Sequence, residues 1–353
     1  MNRRELLGAP VTLAAAAAMA TPQPGAAQTH SGWGMYPQEG SNPLQCKIVC
    51  LTTVSPSVDA SIKFYTEVMG FQLLEQGQLD MKATTAPGAG KGQRRYALIG
   101  VQGAARGATV RIIEAPVGAA AIRPRDGADK AETWDPGLLV MEGGARDPCE
   151  SFHILKTANT PMISPPRYYF FRAEGTARDL DVMSYAPFGP GGEQLFITAN
   201  VRSDRPEWQL AGAHAPPGSV SIVGLDQRPI EEFYVKAFGL RRTSQMDCHQ
   251  RNCNELVGAP ADAYFLWGRM GDVSMEIWEW KMPSGTIRPC SLDKTGLAMF
   301  TMRVNDLEKC RAMCRAAGIK VAGEGAMPIL GNAAPNGFTL RGAAGELVEV
   351  VQA

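Results

Sequence analysis

Little in this chain points to nucleic acid, to a membrane or to a familiar catalytic engine. Lysine plus arginine and aspartate plus glutamate both total 35, so the 353 residues carry no formal net charge. That removes the basic field that would hold a phosphate backbone, and there is no acidic tail. Outside the N-terminus no apolar run approaches the roughly 20 residues needed to cross a bilayer. Histidine occurs only as His30, His153, His214 and His249, too scattered to argue a Ser/His/Asp triad. There is no G-x-S-x-G elbow, and Gly88-Ala89-Gly90-Lys91-Gly92 fails the spacing of a phosphate loop. What these absences leave is a small-molecule partner and a monomer or homodimer, with no nucleic acid and no membrane span in the mature protein.

Glycine and proline, at 38 and 25, imply many turns between short strands. The length suffices for two domains with a substantial core. The one long apolar stretch, Ala9 to Ala20, follows Asn2-Arg3-Arg4-Glu5-Leu6-Leu7 and precedes a small-residue region ending near Ala27. Residues 1–27 therefore read as an export signal resembling the twin-arginine type, with an ordinary secretory signal as the alternative. Either route implies a periplasmic or secreted protein.

All eight cysteines, Cys46, Cys50, Cys149, Cys248, Cys253, Cys290, Cys310 and Cys314, lie beyond that segment. An oxidising compartment permits disulfides among them. On one strand, Cys46 and Cys50 would stand roughly 13 Å apart, beyond disulfide reach. Cys310 and Cys314 share a helix face, and Cys248 with Cys253 flank a polar loop as the best local pair. A metal site from Asp247, Cys248, His249 and Cys253 lacks tight CxxC spacing.

The chain repeats itself. Phe64-Tyr65 with Met69-Gly70-Phe71 recurs as Phe233-Tyr234 with Phe238-Gly239-Leu240, an offset of 233 − 64 = 169. Tyr96-Ala97-Leu98-Ile99-Gly100 returns as Tyr264-Phe265-Leu266-Trp267-Gly268, and Val110 to Glu114 as Val273 to Ile277. Ordered landmarks at a nearly constant offset mean a duplicated supersecondary unit. Two weaker copies, near 137–200 and 297–351, give the order β-α-β-β-β in each of four modules. The expected boundaries are a linker over 28–44, an N-terminal half of two modules over 45–203, a linker over 204–218 and a C-terminal half over 219–353. The fold class is α+β, with each half a curved mixed sheet forming a cup and helices outside.

Ser61-Ile62-Lys63-Phe64-Tyr65 with Gly70-Phe71, the helix start at Asn305-Asp306-Leu307, and the closing Gly345-Glu346-Leu347-Val348-Glu349 resemble the vicinal-oxygen-chelate superfamily. Glyoxalase I, bleomycin-resistance proteins and extradiol dioxygenases belong to it, and the likeness spans roughly Gln45 to Ala353. The resemblance implies a divalent metal held by residues of the first and last strands of each module, usually His and Glu. Carried over, the last-strand position falls on Glu114, Phe196, Glu276 and Glu349. The first-strand position falls near Cys50 (or Val49), Val140, Ser219 and Met299. None is histidine, so a divalent ion is a possible cofactor and none is certain. Mg²⁺ or Ca²⁺ would tolerate oxygen ligands plus water.

Strand alternation sets Glu276 on the face of Ser274, Trp278 and Trp280, and Glu349 beside Leu347 and Val351. A glutamate among tryptophans and aliphatics is favoured as a general acid or base. Glu276 and Glu349 are accordingly the expected proton-transfer pair across one cup. Ser219, Trp278, Trp280, Tyr264 and Met299 line the substrate, and Glu114 is a secondary candidate. The polar segment Asp247 to Asn254 reads as solvated loop rather than lid. The expectation is an exported enzyme performing a lyase or isomerase step on a small aromatic or apolar oxygenated molecule. The alternatives are a periplasmic sequestering protein and a metal-dependent dioxygenase.

Overall fold

The computed structural model describes residues 40–101, 107–171, 180–201, 212–271, 273, 275–282 and 285–352. The export segment, most of the first linker, residues 204–211 of the second, and Ser274 lie outside these.

Four β-α-β-β-β modules follow one another along the chain. The first holds β1 (Lys47–Ser55), α1 (Val58–Lys63), β2 (Gln72–Asp80), β3 (Gln93–Gly100) and β4 (Thr109–Glu114), with the π-helical turn Phe64–Val68 extending α1. The second holds β5 (Gly137–Ala145), α2 (Pro148–Thr157), β6 (Arg167–Phe171), β7 (Leu180–Tyr185) and β8 (Gln194–Asn200). The third has β9 (His214–Gly224), α3 (Gln227–Phe238), β10 (Arg242–Cys248), an added α4 (Arg251–Leu256), β11 (Phe265–Met270) and β12 (Met275–Trp280). The fourth has β13 (Gly296–Val304), α5 (Leu307–Ala316), β14 (Val321–Glu324), β15 (Gly337–Arg341) and β16 (Leu347–Gln352).

Each module's first helix starts from the same device. Ser57, Asp147, Asp226 and Asp306 stand in extended backbone just after the first strand, and each side-chain oxygen accepts a backbone N–H of the first turn. Helix α3 stops at Gly239, whose φ of +71° places it in the left-handed region. A Cβ there would also meet Pro43 Cγ at 2.5 Å. The helices lie outside: α1 packs on β3 and β4, α2 on β7, α3 on β11 and β12, and α5 on β16 and α3.

The strands form two eight-stranded sheets, ordered β14-β15-β16-β13-β1-β4-β3-β2 and β10-β11-β12-β9-β5-β8-β7-β6. The first sheet thus joins modules one and four, and the second joins modules two and three. This corrects the expected grouping into halves 45–203 and 219–353. Every module offers the same free edge, its first strand, for antiparallel pairing with another module. β1 takes β13 and β5 takes β9, a long-range choice that no local pattern encodes. The linker ends earlier than expected, because His214 to Gly218 already belongs to β9.

One hydrophobic cluster runs through both sheets. Two buried hydrogen bonds tie them in a pseudo-symmetric way. Tyr65, just after α1, donates to Glu193 before β8 at 2.8 Å; Tyr234, in α3, donates to Glu346 before β16 at 2.9 Å. The tyrosine of the repeated Phe-Tyr dyad reaches across to the other sheet both times. Burial raises both glutamates, and the tyrosine hydroxyls and nearby backbone N–H groups draw them back in part.

Candidate functional site

Inward-facing residues at the centre of each sheet come from two first strands and two last strands. In the first sheet, Thr52 pairs with Arg111 and Thr301 with Glu349. In the second, Glu142 pairs with Phe196 and Ser221 with Glu276. The first-strand residues at these pairings, Thr52, Glu142, Ser221 and Thr301, each lie two positions beyond the expected Cys50, Val140, Ser219 and Met299. Of the expected last-strand residues, Phe196, Glu276 and Glu349 stand at these central pairings. Glu114 instead pairs with Ser55 at the end of β4, half-buried, accepting from the Arg95 N–H, and Arg111 holds the central position of that strand.

The centre of the first sheet is plugged. Arg111 and Glu349 are both fully buried, with Nη2 of the guanidinium 2.8 Å from Oε2 of the carboxylate. Arg111 also donates to Thr52 Oγ1 and to the Pro328 carbonyl. Glu349 accepts from Thr301 Oγ1 at 2.7 Å and from the Met327 N–H at 2.8 Å. Burial alone would lower the Arg111 pKa, but the Glu349 carboxylate reverses this and raises it. Met299 is buried beside the guanidinium, Sδ to Nη2 3.8 Å. With its oxygens committed, Glu349 is a structural anion and not a proton shuttle. It also lies in the other sheet from Glu276, so the expected pair does not meet.

The second sheet brings together two carboxyls instead. Glu276 Oε2 accepts from two indoles, Trp267 Nε1 at 2.7 Å and Trp278 Nε1 at 3.0 Å. Two N–H donors solvate a carboxylate in a place water does not reach. Glu142 keeps some exposed surface, but its carboxyl is crowded by protein and faces the Glu276 charge. Burial first, and that charge second, push it up to about 8. Ser221 and Ser219 both hydrogen-bond Glu142, and Arg269, paired with Glu276 across β11–β12, draws it back in part. The charge of one carboxyl thus disfavours ionisation of the other, as like charges in a common site do.

Aromatic side chains wall this cup. Phe265 lies 4.5 Å from Trp280 and 5.1 Å from Trp278 between ring centroids, and Phe196 stands edge-on to Trp278 at 6.0 Å. Tyr169 hydrogen-bonds Ser184, which donates to Thr198. Tyr264 is not part of it: it points away and stacks on His249 at 4.4 Å.

The segment expected to be solvated loop instead covers this cup. β10 and β6 are opposite edges of the second sheet, and the residues after β10 reach across to β6. Gln250 accepts from the Phe170 N–H at 3.1 Å and donates to the Phe170 carbonyl; Asn252 Nδ2 donates to the Tyr168 carbonyl at 2.7 Å. Arg167 pairs with Glu255 at 3.3 Å. Behind these ties, α4 buries Cys253, Asn254 and Leu256, with Cys253 in electrostatic range of Glu276. The reason is the apolar face of α4, which a short polar reading of Cys248 to Cys253 hides. Cys248 and Cys253 are neighbouring free thiols. The first sheet is closed at the same place by backbone, Thr85 N–H to the Glu324 carbonyl at 2.8 Å.

The family's metal does not fit these donors. In the first sheet a guanidinium already neutralises the one carboxylate. In the second, two carboxyls, one of them protonated at neutral pH, and two serines replace the His and Glu set. Among the described residues no three His, Cys, Asp or Glu side chains converge as an ion site. His153 is on α2, His214 is buried in β9 and His249 precedes α4. Open concavities lie elsewhere. A groove of 430 Å³ lined by Phe233, Lys320 and Arg341, among others, adjoins neither Glu142 nor Glu276.

Glu142 and Arg111 were the residues missed from sequence. A charge inside an apolar run was the available signal: Arg111 interrupts Thr-Val-Arg-Ile-Ile, and Glu142 ends Leu-Leu-Val-Met-Glu.

Residues 47–135 match the family model described as Glyoxalase/Bleomycin resistance protein/Dioxygenase superfamily. No curated protein sequence matches the chain. Among solved structures, glyoxalase I from Zea mays is 15% identical with a TM-score of 0.54, covering 87% of this chain and 92% of that one. A dioxygenase-like protein from Bacillus subtilis is 17% identical with a TM-score of 0.51, covering 87% and 84%. These identities speak to fold alone. No helix of the described residues is long and apolar enough to cross a membrane. The first module thus matches the glyoxalase/bleomycin-resistance/dioxygenase superfamily model, and the four modules together have the fold of the vicinal-oxygen-chelate proteins.

Proposed function

We propose that the second cup is an acid/base site performing a lyase or isomerase step on a small, aromatic or apolar oxygenated molecule. The observation that carries this reading is the pair Glu142 and Glu276, one carboxyl raised to about 8 by crowding protein and by its partner, the other buried and solvated by two indole N–H groups. Glu276 takes a proton from carbon next to a carbonyl. Glu142, protonated at neutral pH, gives its proton to the oxygen or the neighbouring carbon, and the two exchange roles to reset. Ser219 and Ser221 hold Glu142 in place. Properly matched acid and base each contribute about 10²–10⁴-fold.

Export to the periplasm or the medium belongs to the same proposal. It rests on the twin-arginine-like start and apolar run of residues 1–27, and fractionation of cells expressing the full chain tests it.

The chemistry is tested by deuterium wash-in. Small aryl and alkyl ketones are incubated with the protein in D₂O and exchange next to the carbonyl is followed by NMR. Exchange lost in both Glu142→Gln and Glu276→Gln supports the reading. Tight binding without exchange in the unaltered protein overturns it in favour of a sequestering protein. Exchange abolished by removal of a stoichiometric metal overturns it in favour of metal-dependent chemistry.

A further inference from the structure

We infer that Trp280 is the anchor of this cup: its indole N–H receives the oxygen of an aryl carbonyl compound that lies under α4. The inference rests on the acid/base reading of the site and names the ligand class that reading leaves open.

Three tryptophans present indoles around Glu276. Trp267 and Trp278 spend their N–H groups on Oε2 of that carboxylate. Trp280 is 5% exposed and its Nε1 has no hydrogen-bond partner. It stands on β12 with Glu276 and Trp278 on the same face, since residues two apart on a strand share a side. A buried N–H without an acceptor is costly. Nearby, Asn254 of α4 is fully buried and its Oδ1 is likewise unpartnered, although its Nδ2 donates to the Ala261 and Ala263 carbonyls. Trp280 and Asn254 thus each bring an unmatched polar atom to the second sheet and its cover. In the first sheet, by contrast, the Arg111 and Glu349 charges neutralise each other and are hydrogen-bonded.

The ligand class follows from what surrounds the N–H. Phe265, at 4.5 Å from the Trp280 ring, and Trp278 form flat apolar walls that suit an aromatic ring. The apolar walls and the Glu276 carboxylate on the same face disfavour a second anion, so the acceptor is a neutral one such as a carbonyl oxygen. Access is through α4, whose ties to β6 by Gln250, Asn252 and Glu255 are solvent-exposed side-chain bonds and individually weak.

The test uses acetophenone and α-methylstyrene, which share shape and differ in having or lacking the acceptor oxygen. Their dissociation constants are measured by titration calorimetry with the full protein and with Trp280→Phe, checked for an unchanged circular dichroism spectrum. The unaltered protein should prefer acetophenone by roughly five- to tenfold, the worth of one neutral hydrogen bond, and Trp280→Phe should lose that preference. The indole N–H resonance of Trp280, assigned from its absence in the variant, should move downfield with acetophenone and not with α-methylstyrene. Equal affinity for the two probes, a preference that survives in Trp280→Phe, or binding of neither overturns the anchor. None of these readings depends on turnover, so the anchor can fail while Glu142 and Glu276 still exchange protons, and the reverse.

Discussion

Arg111 and Glu349 form a fully buried ion pair, 2.8 Å between Nη2 and Oε2, at the centre of the first sheet. The matching centre of the second sheet holds Phe196 and Glu276, with Glu142 across from them. Duplication has thus produced one sealed cup and one that keeps two carboxyls and an openable cover.

The sealed cup should be sensitive to removal of either partner alone. Glu349→Gln or Arg111→Leu leaves an uncompensated buried charge and should cost about 3–5 kcal/mol in unfolding free energy. The double variant Arg111→Leu with Glu349→Leu should recover most of that loss, as apolar replacement of a buried pair often does. Urea melts of the three variants check this. Ligand binding and exchange in the second cup should be unchanged in any of them that folds.

Glu142 should make stability fall with rising pH. Its native pKa, about 8, lies above its ordinary value of 4.5. Folding therefore favours the protonated form, and its contribution is full below the ordinary value and lost as pH climbs through about 8. Thermal melts between these limits should show a downward slope that Glu142→Gln flattens.

Catalysis should show the same group. With Glu142 serving as the acid, the exchange rate should decline above about pH 8. Glu142→Gln and Glu276→Gln should each lower it by at least about 100-fold. The rates come from NMR exchange across a pH series.

The cover should be held weakly. Gln250→Ala and Asn252→Ala together remove the amide ties to β6 and should cost no more than about 1–3 kcal/mol. Hydrogen exchange should rise in α4 and β6 first, and ligand association should quicken, readable by stopped-flow fluorescence.

Tyr65→Phe and Tyr234→Phe should behave alike, because they remove equivalent ties between the sheets. Each leaves a buried glutamic acid short of a donor, at a cost of about 1–3 kcal/mol. Denaturant melts should show similar losses for both and a near-additive loss for the pair.

Much of this was readable in the chain itself. The Phe-Tyr dyads, the Ser or Asp caps after each first strand and the alternating strands are local patterns, and they specify four modules of one kind. Glu276 with Trp278 and Trp280 on a shared face also follows from strand periodicity alone. Strand alternation repeats every two residues, so periodicity alone could not tell Glu142, Ser221, Thr52 and Thr301 from the same-face residues two positions earlier. Which module pairs with which, that Glu349 meets Arg111 rather than Glu276, and that α4 covers the second cup were decided only in the tertiary structure. Identical free edges are interchangeable in a repeated sequence. The choice among them depends on packing between residues more than a hundred positions apart, which no local periodicity carries.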